Sequence, residues 1–238
     1  MNNDRLKVLF VGNSHTYFND MPELFSRMCR AGADLNAEPV MLSHPSRTLE
    51  WHLREYYELR FNLLYGHYDY CIIQQAAHPF PGKEETLRDI ARIEELCRKG
   101  RTQPVIVETW AEKRAPEHQA IMNETYHEAA DEHDSLLAPV GEVWQSMILR
   151  HPETELYWKD GEHASPYGDY LIACVLYRVI TGKEASGLPD VGIDFLKGLE
   201  AGPDAGLAIE DKSELLESLD PECCRQIRHE TDRICGAL

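Results

Sequence analysis

The sequence predicts an α/β fold built on a mostly parallel sheet. Short apolar runs of strand length recur up to Ala138, and stretches of helical period separate them. The runs are apolar at successive positions, as strands buried on both faces require, and their regular alternation with helices is the pattern of crossover-linked parallel strands.

Leu6–Val11 is the first strand, closed by Gly12. Pro22 to Gly32 follows with Leu24, Phe25, Met28 and Ala31 at helical spacing. Val40-Met41-Leu42 is a short apolar piece, and Ser43 to Arg47 a polar turn. Leu49 to Leu64 is one amphipathic helix, and Asp69–Ile73 a second clear buried strand. Glu84 to Cys97 is a charged helix with Gly100 as its stop signal, and Pro104–Val107 a further strong strand. Glu117 to His133 is helical, Leu136-Leu137-Ala138 a short fifth strand, and Glu142 to Leu149 helical. Ser165 is a good N-cap and Pro166 suits the first helical position, so a helix runs to about Ile180 and ends at Gly182. Two short helical patterns follow a Gly/Pro-rich stretch, the last opened by Asp220-Pro221. The expected organisation is one α/β domain over 1–183, with 184–238 a helical extension packed on it.

The 238 residues suffice for a full core, and 24 Lys and Arg against 41 Asp and Glu give a net charge of −17. That balance argues against nucleic acid, which needs cations to neutralise phosphates, and against anionic membranes. Arg5 and Lys7 precede an apolar run, but Val8–Val11 is shorter than the roughly 7–15 residues of a signal core. The seven cysteines include no Cys-x-x-Cys pair, so a reduced cytoplasmic protein is expected; Cys223-Cys224 has no His or Cys partner at ligand spacing, which disfavours a metal or redox role and leaves the pair unexplained. No glycine-rich phosphate loop is present, His127 and Asp131 read as a solvated helix face, and no metal or organic cofactor is expected.

In a parallel sheet, ligands sit beyond the C-terminal strand ends, which directs attention to 12–15, 43–47, 74–78 and 108–110. Ser14 follows the first strand and a glycine and precedes a polar turn, where its hydroxyl reaches that edge; a serine so placed is by itself more commonly a cap or turn residue. Asp160 and His163 lie three apart before a capped helix, a spacing that lets the carboxylate hold one ring nitrogen while the other faces a nucleophile. His15 and His78 line the pocket or are turn residues, and Trp110 stacks on a substrate or belongs to the rim or core.

Taken together, Val11-Gly12-Asn13-Ser14-His15-Thr16 and Asp160-Gly161-Glu162-His163 resemble the SGNH (GDSL-like) hydrolases, with Asn13 where many members have Asp. Thr48-Leu49-Glu50-Trp51-His52, Gln74-Gln75 and Thr109-Trp110 are similar to a less studied branch with a Gly-Asn-Ser first motif. The resemblance covers about residues 6–182 and implies a serine esterase on a flavodoxin-like three-layer α/β/α fold. It makes Ser14 the nucleophile, His163 the general base and Asp160 its orienting carboxylate. The implied oxyanion hole uses the Ser14 N–H, a backbone N–H from the loop after the second strand, and an Asn side chain. Here Ser46 stands for the usual Gly, its N–H serving as donor if φ is negative, and Gln74 or Gln75 replaces the Asn of the absent Gly-x-Asn-Asp motif. The implied substrate is a small acyl ester, such as an O-acetylated carbohydrate. Acyl transfer through the same triad, and a binding module that has lost the chemistry, are the alternatives.

Overall fold

A computed structural model describes residues 5–133, 135–190, 194–196 and 216–237. Its centre is a five-stranded, wholly parallel sheet: β1 (Arg5–Gly12), β2 (Asn36–Ser43), β3 (Tyr70–Ile73), β4 (Gln103–Val107) and β5 (Leu136–Ala138), in the order β2-β1-β3-β4-β5. This is the flavodoxin-like arrangement expected. β1 is buried on both faces, and its side chains alternate between two cores. Val8 and Phe10 join the layer of α2 (Met21–Ala33), α7 (Val140–Arg150), α8 (Pro166–Thr181) and α9 (Pro221–Cys235). Leu9 and Val11 join the layer of α3 (Leu49–Arg54), α4 (Tyr57–Tyr65), α5 (Lys83–Gly100) and α6 (Gln119–His133). No helix among the described residues is long and apolar enough to cross a membrane.

Several elements differ from expectation for identifiable reasons. β2 spans eight residues, not three. It is an edge strand, so Pro39 costs no interior ladder bond and polar Asn36 and Glu38 are tolerated there. The helix expected over 49–64 is two helices. Leu49 and Leu53 form one i,i+4 pair and Leu59 and Leu63 another, but the six-residue step between pairs turns the apolar face about 240° away. The chain breaks at Tyr56, whose φ is 16°. α6 is preceded by a 3-10 turn over Pro116–His118, and α7 begins at Val140 so that Val140, Val143, Trp144 and Met147 are buried together. A four-residue helix, α1 (Ser14–Tyr17), follows directly on β1.

In the tail, Asp220 caps α9 as expected, accepting the Glu222 N–H at 2.8 Å. Cys224 and Ile227 are buried in the α8 core layer, and all seven cysteines are free. The first of the two helical patterns lies largely outside the described residues. Leu216–Ser218 is a strand paired antiparallel with Asp194–Leu196.

α8 packs closely because Gly168 has no side chain: a Cβ there would lie 2.5 Å from the Leu156 carbonyl oxygen and 2.7 Å from the Trp144 ring. Gly168→Ala should therefore lower unfolding free energy by about 1–3 kcal/mol, the usual cost of overpacking, despite alanine's better helix propensity. Urea unfolding at unchanged m-value checks this.

Candidate active site

β1 is flanked by β2 on one side and β3 on the other, so the crevice beyond its C-terminal end is the topological switch point of the sheet. Ser14 stands there as the first residue of α1. Asn13 is the N-cap: its Oδ1 accepts the His15 N–H at 3.0 Å, and the Thr16 hydroxyl accepts the Asn13 N–H at 3.3 Å. The Asn13 Nδ2 donates across to the Arg47 carbonyl at 3.0 Å and fixes the β2–α3 loop. From α3, His52 Nε2 lies 2.7 Å from the Gly12 carbonyl, pinning the strand end.

Across the crevice, the loop before α8 is shaped by Asp160. Its Oδ1 accepts the N–H groups of Glu162 at 2.9 Å and His163 at 3.0 Å, while Gly161 supplies the turn's positive φ of 75°. Asp160 Oδ2 lies 2.7 Å from His163 Nδ1, and His163 Nε2 lies 2.8 Å from Ser14 Oγ. Partial burial works against the Asp160 carboxylate. The N–H of Glu162 and the ring and N–H of His163 outweigh it and hold the carboxyl below its ordinary range.

The structure brings Ser14, His163 and Asp160 into one hydrogen-bonded line. It also adds two residues that the motif search passed over. Phe18 stacks on the His163 ring at 4.7 Å between centroids and 28° between planes, and it follows Ser14 by four residues, the i,i+4 spacing that could have found it. Asn19, in the left-handed region at φ 47°, donates to the Ala164 carbonyl at 3.1 Å and to the buried Asp169 carboxyl at 2.6 Å, tying the end of α1 to the loop that carries His163.

The expected oxyanion residues are placed as follows. The Ser14 N–H, the first of α1, has no acceptor among the described residues. Ser46 does not have the negative φ expected: at 59° it keeps the left-handed turn that glycine would favour, at a cost of about 1–2 kcal/mol. Gln74 accepts the Thr16 hydroxyl through Oε1, and Gln75 accepts the N–H groups of Leu49 at 3.0 Å and Ala76 at 2.9 Å. Both amide nitrogens are buried without a partner.

Of the expected substrate contacts, Trp110 is a correction. It is 0% exposed, stacks on Trp144 at 4.5 Å and donates its indole N–H to the Glu162 carbonyl at 2.9 Å, so it offers a substrate no surface. His15 is likewise buried, with one ring nitrogen against Asn13 Oδ1 at 3.1 Å and the other against His78 Nδ1 at 3.0 Å. Half-buried His78 completes the row, its Nε2 at 3.1 Å from the Trp110 carbonyl.

Among the described residues, Glu108, His127 and Glu142 have their ligand atoms within 4.8 Å of one another and are the side chains able to hold a metal ion. They also satisfy one another. His127 Nε2 lies 3.0 Å from Glu142 Oε1, and Glu108 Oε2 accepts the Glu142 N–H at 2.9 Å. Burial, with Glu142 nearby, pushes the Glu108 carboxyl up to about 8 against the opposing Glu142 N–H.

No family model and no curated protein matches the chain. Solved structures do. A protein of Slackia heliotrinireducens described as an SGNH hydrolase shares 26% identity, with TM-score 0.65, over 74% of this chain and 100% of that one. A DUF4886 family protein from Bacteroides uniformis is similar over 98% of this chain and 95% of its own, at 16% identity and TM-score 0.67. A lipase/acylhydrolase from Enterococcus faecalis is similar over 74% and 96%, at 19% identity and TM-score 0.57.

The Glu108 proton gives a stability prediction. An unfolded glutamate releases its proton near about 4.3, whereas the folded one holds it to about 8. Between these values the folded state binds more protons, so this group's stabilisation is full below the first and is lost as pH rises through the second. Glu108→Gln has no proton to lose. Its unfolding free energy relative to the parent chain should rise from pH 5 to pH 8, measured by urea unfolding at each pH.

Proposed function

The chain belongs to the SGNH hydrolase superfamily, and on that premise we propose that it is a serine-dependent ester hydrolase acting through an acyl-Ser14 intermediate. The observation that carries this reading is the unbroken line from Ser14 Oγ to His163 at 2.8 Å and from His163 to Asp160 at 2.7 Å. In this reading His163 Nε2 takes the Ser14 proton as the oxygen bonds to the ester carbonyl carbon. Asp160 stabilises the imidazolium through Nδ1. When the tetrahedral state collapses, the C–O bond to the alcohol breaks and His163 returns its proton to that oxygen. Water then repeats the sequence on the acyl-enzyme and restores Ser14.

The developing oxyanion needs donors that act in the transition state more than on bound ester. The Ser14 N–H fills one of these roles in the proposal; Ser46, whose φ of 59° fails the condition set for its N–H, is left out of it. Gln74 supplies a second, in preference to Gln75, because its Oε1 is held by Thr16 on the helix that carries Ser14, the NH2 of both being unpartnered. The proposed substrate is a small acyl ester, such as an O-acetyl group on a carbohydrate. The net charge of −17 supports a small-molecule partner over nucleic acid.

Ser14→Ala should abolish fluorophosphonate labelling and lower kcat for p-nitrophenyl acetate by about 10⁴-fold or more, with unchanged circular dichroism. Undiminished turnover would overturn the acyl-enzyme. Gln74→Ala should cost about 2.7–4 kcal/mol of barrier, seen in kcat with KM little changed, while Gln75→Ala leaves kcat near the parent value. The opposite pattern would transfer the role to Gln75, and no effect from either would leave the hole to backbone N–H groups.

A further inference from the structure

His163 is held between two rings. Phe18 stacks on it at 4.7 Å and His15 at 4.4 Å, the latter only 9° from parallel, and the two make no ring contact with each other, as groups on opposite faces would. Both come from the segment that carries Ser14. The orientation of His15 is in turn fixed by the row Asn13 Oδ1, His15, His78 and Trp110 carbonyl, with spacings of 3.1, 3.0 and 3.1 Å.

This row has an odd proton requirement. Its two ends can only accept. The Trp110 end is a carbonyl, and the Asn13 amide cannot be turned over, because Oδ1 accepts the His15 N–H and Nδ2 donates to Arg47. Each of the three contacts needs one hydrogen. Two neutral imidazoles bring two. A third proton completes the row but places a cation flat against the ring that must itself become an imidazolium.

We propose that His15 and His78 are positioning residues for the general base, and that they hold it competent only while the pair carries two protons. The inference rests on the role of His163 proposed above. The titratable groups facing the pair are His163 and Asp160 from the loop before α8, and Glu112 from the loop after β4. Burial, together with the neighbouring His163 and His78, keeps His15 well below the usual histidine range. Burial brings His78 down to about 4 in spite of Glu112. The pair therefore holds two protons at neutral pH, and takes up the third on acidification.

The test combines kinetics on p-nitrophenyl acetate with NMR of ¹⁵N-histidine-labelled full-length protein. In the parent chain, the acid limb of kcat/KM should steepen by a further factor of about ten per pH unit once the pair takes its third proton. His15→Ala should lower kcat about tenfold to a hundredfold with KM little changed, because the base loses one stacking face. His15→Phe keeps a flat ring without a proton; it should recover kcat to within about threefold of the parent and lose the steeper limb. A limb of single-proton slope throughout, or His15→Phe as slow as His15→Ala with the fold intact, would overturn the proposal. NMR reads the proton count whether or not esters turn over. One shared uptake by His15 and His78 below neutral pH supports the proposal, and two independent titrations, or a third proton already bound at pH 7, overturn it. Absence of ester turnover alongside shared uptake would count against the esterase reading and leave the proton count standing.

Discussion

At the end of β1 the chain must change from strand to helix within one residue, and the side chain of Asn13 is what permits it. A helix of four residues has no stability of its own in water, since nucleation is costly and propagation never repays it. An N-cap contributes about 0.5–2 kcal/mol, and here Thr16 answers it with a bond to the Asn13 N–H. The same Asn13 amide reaches across to the Arg47 carbonyl, so one side chain sets both the helix that carries Ser14 and the loop carrying Ser46. An aspartate at this position would keep the cap and lose that donor. The Gly-Asn-Ser form of the motif therefore couples two loops that a carboxylate could not.

The electrostatics of the crevice are unusual for a chain of net charge −17. Asp160 is kept ionised by hydrogen-bond donors, chiefly two backbone N–H groups and the His163 ring. His15, His52 and His78 are all shifted toward the neutral form, mainly by burial. Around the proposed base, apart from the Asp160 carboxylate, the protein has arranged rings and dipoles, so a transient imidazolium meets one anion and otherwise neutral rings at neutral pH.

Much of this was legible in the sequence. The buried strands were, because runs such as Val8–Val11 and Ile72-Ile73 have no amphipathic alternative. Ser14 and the Asp160–His163 pair were weak signals taken singly, and it was their combined resemblance to the SGNH hydrolases that singled them out. β2 was mostly hidden, since an edge strand needs no continuous apolar run and tolerates Pro39. The break at Tyr56 was concealed because each half of 49–64 has acceptable periodicity and only the phase between them fails. Trp110 was misplaced for a different reason: position after a strand says that a side chain reaches the edge, not whether Trp144 already covers it. The rings around His163 depend on contacts between distant segments, and local pattern carries no record of those.

The line of residues proposed for the chemistry joins positions 149 apart in the chain. Ser14 is fixed by the first strand and its turn, whereas the loop of His163 is anchored late, through the bond from the Lys113 N–H to the Gly161 carbonyl and through the Ser165 cap. Contacts so far apart carry a large loop-closure cost until the intervening strands have taken their places. A nascent or partly refolded chain can thus hold Ser14 at the end of a paired β1 while His163 is still distant. In the proposed mechanism, hydroxyl reactivity is then a late clock of maturation, set by the closing of the ring of contacts around the sheet and not by the appearance of secondary structure.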